Sequence, residues 1–308
     1  MTFEQLLPII ASTVAAATPL VIAALGILVS ERAGVLNLGV EGMMLMGAVT
    51  AFAVGVTSGS LLLGYLAAIA AGATVSLLFA VLVLSLQTNQ VATGLALALF
   101  GTGLSAFLGR SFVGTPIDRL PALPIPLLSD VPLLGPLLFQ YDAVVYLSVL
   151  LFFGVSWFLF RSRLGLRLRA IGEAPAVAHS LGESVLRVRY LATMFGGAMS
   201  GLAGAYLSTA LTPMWVEGMS AGRGWIVLAL VVFATWRPLR VLLGAYLFGG
   251  VAVLQLHAQG LGVTVPSEFL SMLPYLATIV VLVLICRDPK AILLNQPASL
   301  GRSFHPDG

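Results

Sequence analysis

The sequence predicts an all-α integral membrane protein of about nine membrane-crossing helices, with the N-terminus outside and the C-terminus inside. Three observations predict it. Of 308 residues, 59% are hydrophobic and only 9% charged, and the mean hydropathy is +1.05. Soluble domains carry about 25% charged residues, so this composition builds no water-facing surface, whereas lipid suits it. Apolar runs near the ~20 residues a bilayer-crossing helix needs recur along the chain, and the basic residues gather on one side of them.

The elements follow in order. Met1-Thr2-Phe3-Glu4-Gln5 lacks the basic start of a secretory signal, and no small-residue cleavage site stands out after the first apolar run, so 6–30 is expected to stay as a span. The next spans are 39–57, 60–86 and 89–109. The first of these is rich in small residues, which let helix backbones approach closely. The segment 110–141 contains Pro116, Pro121, Pro124, Pro126, Pro132 and Pro136, so it cannot be one helix. It reads as an external loop lying on the membrane surface or the subunit. Spans at 142–160 and 190–211 flank the loop 161–189. Then come 224–236, about 13 residues and short for a crossing, and the spans 238–258 and 269–286. The polar segment 295–308 reads as a flexible tail, and 1–308 as a single membrane domain.

Orientation comes from arginine. The loop 161–189 holds Arg161, Arg163, Arg167, Arg169, Arg187 and Arg189, which places it in the cytoplasm. Alternation then puts Arg32, Arg237, Arg240, Arg287, Lys290 and Arg302 inside, and leaves only Arg110, Arg119 and Arg223 outside. The chain also repeats its plan. Glu41 to Leu66 runs from a polar start through an apolar stretch and a break to Leu62-Leu63-Gly64-Tyr65-Leu66. Gly222 to Leu247 does the same and reaches Leu242-Leu243-Gly244-Ala245-Tyr246-Leu247. An odd number of crossings between the copies sets them in opposite orientation, an arrangement found in transporters.

Polar residues inside spans are costly and often functional. The stretch from Glu31 to Gly42 joins two spans and is glycine-rich. In one reading Asn37 and Glu41 line a polar path at a broken helix. In the other, Glu31 pairs with Arg32, and Glu41 sits favourably at a helix start. Asn89 opens the fourth span as a helix cap or a lining group, and Gln90 and Thr93 share a helix face. Trp215 reads as a membrane-interface anchor. Lone Cys286 builds no disulfide framework, and the three scattered histidines have no metal spacing. No phosphate-binding GxxxxGK[ST] motif and no catalytic constellation occur. Cofactors are therefore not expected on this chain, and any driving ATPase is another protein. Nucleic acid is not an expected partner; the lipid bilayer is.

In the arginine-rich loop, Pro175 is placed as a first-turn residue and Gly182 as a terminator of a short helix. Such a helix on the cytoplasmic face could sit in a groove of a motor protein.

Four stretches together carry a resemblance: ERAGVLNLGVEGMMLMGA from Glu31, NQVATGLALALFGTGLSAFLG from Asn89, GLRLRAIGEAPAVAHSLGESVLRVRYLATMFGGAMSGLAGAYLS from Gly165, and Gly222 to Gly249. They resemble, in order and over nearly the whole chain, the branched-chain amino acid and sugar permease superfamily of ABC importers. Within it they look most like nucleoside permeases that work with lipoprotein-type binding proteins. The resemblance implies a type II-like permease of the bacterial cytoplasmic membrane that pairs with a second, longer, homologous permease. It implies a cytoplasmic ATPase with two nucleotide-binding halves, carrying ATP and Mg, and an extracytoplasmic substrate-binding lipoprotein. It also implies ATPase coupling through Gly172, Glu173, Ala174, Pro175, Ala178 and Gly182. The loop departs from the usual pattern: a proline follows Ala174, and Gly182 falls late after Glu173. The superfamily commonly carries one span more than is counted here. Asn37, Glu41, Asn89, Gln90 and Thr93 are the expected substrate pathway. The rival readings are a sugar or amino acid permease of the same architecture, an ion-coupled transporter working through Glu41, and a membrane enzyme.

Overall fold

A computed structural model describes residues 3–126, 129, 134–260 and 295–305, with scattered helical positions between 269 and 283. Its helices are α1 (Phe3–Arg32), α2 (Val40–Ser58), α3 (Leu61–Ala80), α4 (Gln90–Gly109), α5 (Leu134–Leu138), α6 (Ala143–Arg161), α7 (Arg163–Glu173), α8 (Pro175–Ser180), α9 (Val185–Tyr206), α10 (Arg223–Phe233) and α11 (Pro238–Gly260). Among the described residues extended pairing is limited to two isolated bridges, Pro116 with Met214 and Ala122 with Asp142.

Among the described residues, six helices are long and apolar enough to cross a membrane: Leu7–Arg32, Val40–Ser58, Leu61–Ser85, Gln90–Phe112, Ala143–Arg161 and Pro238–Gly260. This is a multi-pass membrane protein. Of the nine expected spans, 190–211 corresponds to α9, which is not among the six, and 224–236 to the 11-residue α10. The span 269–286 lies largely outside the described residues. The segment 110–141 contains no long helix among its described residues, as its prolines require.

Local chemistry sets the helix ends. Asn89 Oδ1 accepts from Ala92 N at 3.0 Å to start α4, and Asp142 Oδ1 accepts from Val144 N and Val145 N to start α6. Ser162 Oγ accepts from Gly165 N at 2.9 Å to start α7. These are the side-chain oxygens a helix N-terminus selects. Gly59 closes α2 in the left-handed region at φ 66°.

α9 is the centre of the bundle, packed on α1, α2 and α3. Its packing faces are glycine and alanine, so backbones meet directly. A Cβ on Gly72 would strike Gly197, and one on Gly47 would strike Gly201. One end of the bundle collects Arg32, Arg189, Arg237 and the segment 295–305, and is called here the arginine pole. α1, α3, α6 and α10 run toward this pole; α2, α4, α9 and α11 run away from it. The hairpins α2–α3 and α10–α11 therefore point in opposite directions. α3 packs on α9 just as α11 packs on α1, and α1 and α9 pack on each other.

Segment 295–305, expected as part of a flexible tail, is held in place instead. Ser299 N donates to Gly172 O at 3.0 Å, Gly301 N donates to Gly34 O at 3.3 Å, and Phe304 is buried. The segment is polar because its partners are backbone carbonyls and a buried arginine rather than water.

Candidate functional site

Two helices begin inside the bundle rather than at its edge. α4 starts at the arginine pole with Gln90, whose Oε1 accepts from Leu36 N at 2.8 Å. Gly42 of α2 packs against Leu97 and Ala98 of α4, about 10 Å further along the axis at 1.5 Å per residue. Residues 33–39 thus descend as irregular chain before α2 begins. α10 comes from the other side. At 11 residues it spans about 16 Å, half the ~30 Å hydrocarbon thickness.

The two starts meet at Glu41. Its Oε1 accepts from Ser220 Oγ at 2.5 Å and from Gly222 N at 3.0 Å, and its Oε2 accepts from Gly224 N at 2.6 Å. The first-turn N–H groups of α10 have no intrahelical partner, and the helix end carries partial positive charge, so a carboxylate is the fitting acceptor. Gly224 must be glycine at this spacing: a Cβ would lie 2.5 Å from the Glu41 Cα. The helix start that Glu41 serves is therefore that of α10, besides its own place in the first turn of α2. Arg223 is the neighbour of Gly224. It is half-buried beside this junction, with Nη1 donating to Met219 O and Ser220 O.

The other pathway candidates are turned differently, and those on α4 lie nearer the arginine pole than this junction. Asn37 is buried, and its Oδ1 accepts from Gly39 N at 2.8 Å, bracing the turn into α2. Gln90 is buried behind Leu36, whereas Asn89 is exposed. Thr93 is half-buried and shares a hydroxyl hydrogen bond of 2.8 Å with Thr88. Glu31 and Arg32 do not pair with each other. Trp236 Nε1 donates to Glu31 Oε2, and Arg32 Nε and Nη2 donate to Trp236 O. Trp215 is no interface anchor: it is 1% exposed and packed against Gly109.

At the arginine pole, α8 starts with Pro175 and ends before Gly182 at φ 86°, as the sequence predicts. Ala178 packs inward, while Val177 and Leu181 point out, Leu181 being 79% exposed. Gly172, at the end of α7, is pressed against the Arg32 backbone. Its carbonyl accepts from Ser299 N and from Ser299 Oγ at 2.7 Å, while Glu173 Oε2 accepts from Ala298 N at 3.3 Å. Fully buried Arg189 closes the network, donating through Nε to Ala33 O, through Nη1 to Arg302 O and through Nη2 to Ser299 Oγ. The His179 ring meets Phe304 edge-on at 5.6 Å. The α7–α8 corner, the α1–α2 turn and residues 298–304 are thus one hydrogen-bonded assembly. Sequence reasoning placed Arg189 among loop arginines. The signal it lacked was that Arg189 enters a Gly/Ala-rich helix, where a guanidinium needs buried acceptors.

Comparison with known proteins gives the family. The family model described as branched-chain amino acid transport system / permease component matches residues 9–285. The chain belongs to this permease family. A putative glucose ABC transporter permease of Haloferax volcanii is 44% identical, covering 96% of each chain. A guanosine ABC transporter permease of Bacillus subtilis is 35% identical, over 92% of this chain and 93% of its own. A nucleoside ABC transporter permease of Lactococcus lactis is 31% identical, over 90% of this chain and 91% of its own. No solved structure matches the chain. The protein is an ABC transporter permease subunit, and its relatives are permease subunits rather than enzymes.

Proposed function

We propose that this permease forms, with a second homologous permease, the path by which an ABC importer carries a nucleoside across the cytoplasmic membrane of a bacterium. An extracytoplasmic lipoprotein delivers the substrate. A cytoplasmic ATPase with two nucleotide-binding halves holds ATP and Mg and supplies the work. The observation that carries this reading is the meeting of two oppositely directed half-buried helix starts at Glu41. Discontinuous helices from inverted repeats are how transporters build a midplane path and rock around it. In this reading the arginine pole faces the cytoplasm, as its charge directs. Closure of the ATPase presses on α8 through the exposed Val177 and Leu181. Gly172, Glu173, Ala174 and Pro175 pass that push to the α1–α2 turn. Asn89 and Thr93 face the path, and Asn37, Glu41 and Gln90 shape its wall from behind. A nucleoside needs hydrogen bonds to base and ribose beside apolar walls, and neutral polar groups supply them.

A sugar substrate is the second reading, favoured by the 44% identity to the putative glucose permease. Both are tested by uptake into proteoliposomes holding the two permeases and the ATPase, with the binding lipoprotein outside. Labelled guanosine should be taken up only with ATP inside, and unlabelled nucleosides should compete while glucose does not. Competition by glucose alone would establish the sugar reading. ATP-independent uptake driven by an ion gradient would remove the ABC mechanism.

A further inference from the structure

A second polar site lies at the arginine pole, beside the end of α7. A cavity of about 450 Å³ opens between the ends of α1, α6 and α7 and the start of α11. Three guanidinium groups line it, those of Arg32, Arg169 and Arg237, against one carboxylate, Glu173. Glu173 is already engaged by Ala298 N. Arg32 spends its donors on the carbonyls of Trp236 and Asn295, and Arg237 Nε donates to Asn295 Oδ1 at 3.3 Å. Arg169 Nε is buried with no hydrogen-bond partner. Among the described residues the one ion pair is Arg167 with Glu183, elsewhere on α7. Among the described residues, three cations therefore converge beside one carboxylate, Glu173, without an ion pair to it. Buried, unpartnered donors are costly, and a cluster of like charge is more so. Such a pocket is completed by an anion.

The surroundings say which kind. Phe160 forms a wall of the cavity, with Arg169 over its ring at 5.1 Å and Arg32 at 5.9 Å. Phe153, Trp157 and Phe160 recur at spacings of four and three, so they lie on one face of α6. They are 62%, 63% and 43% exposed. An exposed aromatic stripe therefore runs from the arginine cavity along a helix long and apolar enough to cross the membrane. That is the outline of an amphiphile: anionic head in the cavity, hydrocarbon along the stripe. Basic pockets between membrane helices on the cytoplasmic side suit anionic headgroups, and arginine suits phosphate by its forked donors.

We propose that Arg32, Arg169 and Arg237 form a binding site for the phosphate headgroup of an anionic phospholipid, whose acyl chain lies along Phe153, Trp157 and Phe160. The site is separate from the substrate path and does not depend on which substrate is carried. Its bound phosphate fixes α7 to α1 and α11, next to the corner that carries α8.

The experiment uses the complete complex of both permeases and ATPase, purified in detergent and read by native mass spectrometry. Cardiolipin and phosphatidylglycerol should remain bound through delipidation where phosphatidylcholine is lost. Arg169→Gln and Arg237→Gln should each lower retained anionic lipid about five-fold, with Arg110→Gln at the opposite pole unchanged. Should either variant fail to assemble, competition in the wild-type complex decides: inorganic phosphate alone should not displace the lipid. Equal retention of anionic and zwitterionic lipid overturns the proposal. Displacement by millimolar inorganic phosphate overturns the lipid assignment in favour of a free anion. Unchanged lipid retention with loss of ATPase from the arginine variants overturns it in favour of a partner protein's carboxylate.

Discussion

The hairpins α2–α3 and α10–α11 share a plan and differ in how they are closed. In the first, Gly64 brings α3 onto the backbone of α2: a Cβ there would lie 2.6 Å from Ala51 O. α3 is then fastened to α9 by backbone contact at Gly72 and by Ser76 Oγ donating to Thr193 O at 2.5 Å. In the second, Gly244 holds the corresponding place, but a Cβ there would meet only the tip of the Leu230 side chain. Backbone cannot give way; a leucine methyl can change rotamer. The α2–α3 hairpin is therefore closed backbone to backbone at its turn, whereas the α10–α11 hairpin is closed through a side chain; beyond the turns the two are alike, since α11 meets the Ala17 backbone of α1 at Gly249 as α3 meets α9 at Gly72. What both share is the Glu41 junction, where the first hairpin holds the start of the second.

Breaking that shared point should have the largest effect. Glu41→Ala leaves three donors unanswered, and the loss of charged hydrogen bonds is on the order of 4 kcal/mol. The expected result is a complex that unfolds well below wild type in a detergent thermal melt and shows no ATP-dependent uptake. Glu41→Gln should fall between them, since its amide nitrogen would confront the Gly224 N–H. A melt for Glu41→Ala within a degree of wild type would show that the two hairpins are held together elsewhere.

The next test sharpens the contrast directly. Gly64→Ala should cost about 2 kcal/mol through overpacking against backbone, whereas Gly244→Ala should stay within about 0.5 kcal/mol. Equal melting shifts for the two would mean the hairpin turns are closed equally tightly. Ser299→Ala should come third, removing hydrogen bonds to Gly172 O and Arg189 worth about 1 kcal/mol each. ATP hydrolysis should continue while the amount of substrate moved per ATP falls. The smallest effect is expected from Asn89→Ala. Losing this cap costs about 1 kcal/mol locally, with little change in the melt, so a lowered apparent affinity for substrate would report its place on the path.

These regions also differ in how far the sequence revealed them. The short apolar stretch before Trp236, the proline at 175 and the glycine at 182 announce a half-helix and a capped corner, because local propensity and length determine both. The repeat starting at Glu41 and Gly222 was legible as pattern. That these two residues touch was not, since a contact between distant positions leaves no periodicity. Residues 298–304 were misread for a related reason: polar composition suggests water, and nothing local reveals that Gly34, Gly172 and Arg189 are the partners. Trp215 looked like an anchor because aromatic residues near span ends usually are, but the missing Cβ of Gly109 makes room for its ring inside the bundle.

The Glu41 carboxylate carries a consequence for biogenesis. It leaves the ribosome 181 residues before Gly222, so for most of synthesis its donors do not yet exist. An acid without partners is poorly tolerated in hydrocarbon, and the first hairpin has no finished resting depth until α10 arrives. Membrane insertion of the early segments is therefore provisional, and the arrival of α10, rather than each crossing in turn, is the step that commits the first hairpin to its final depth.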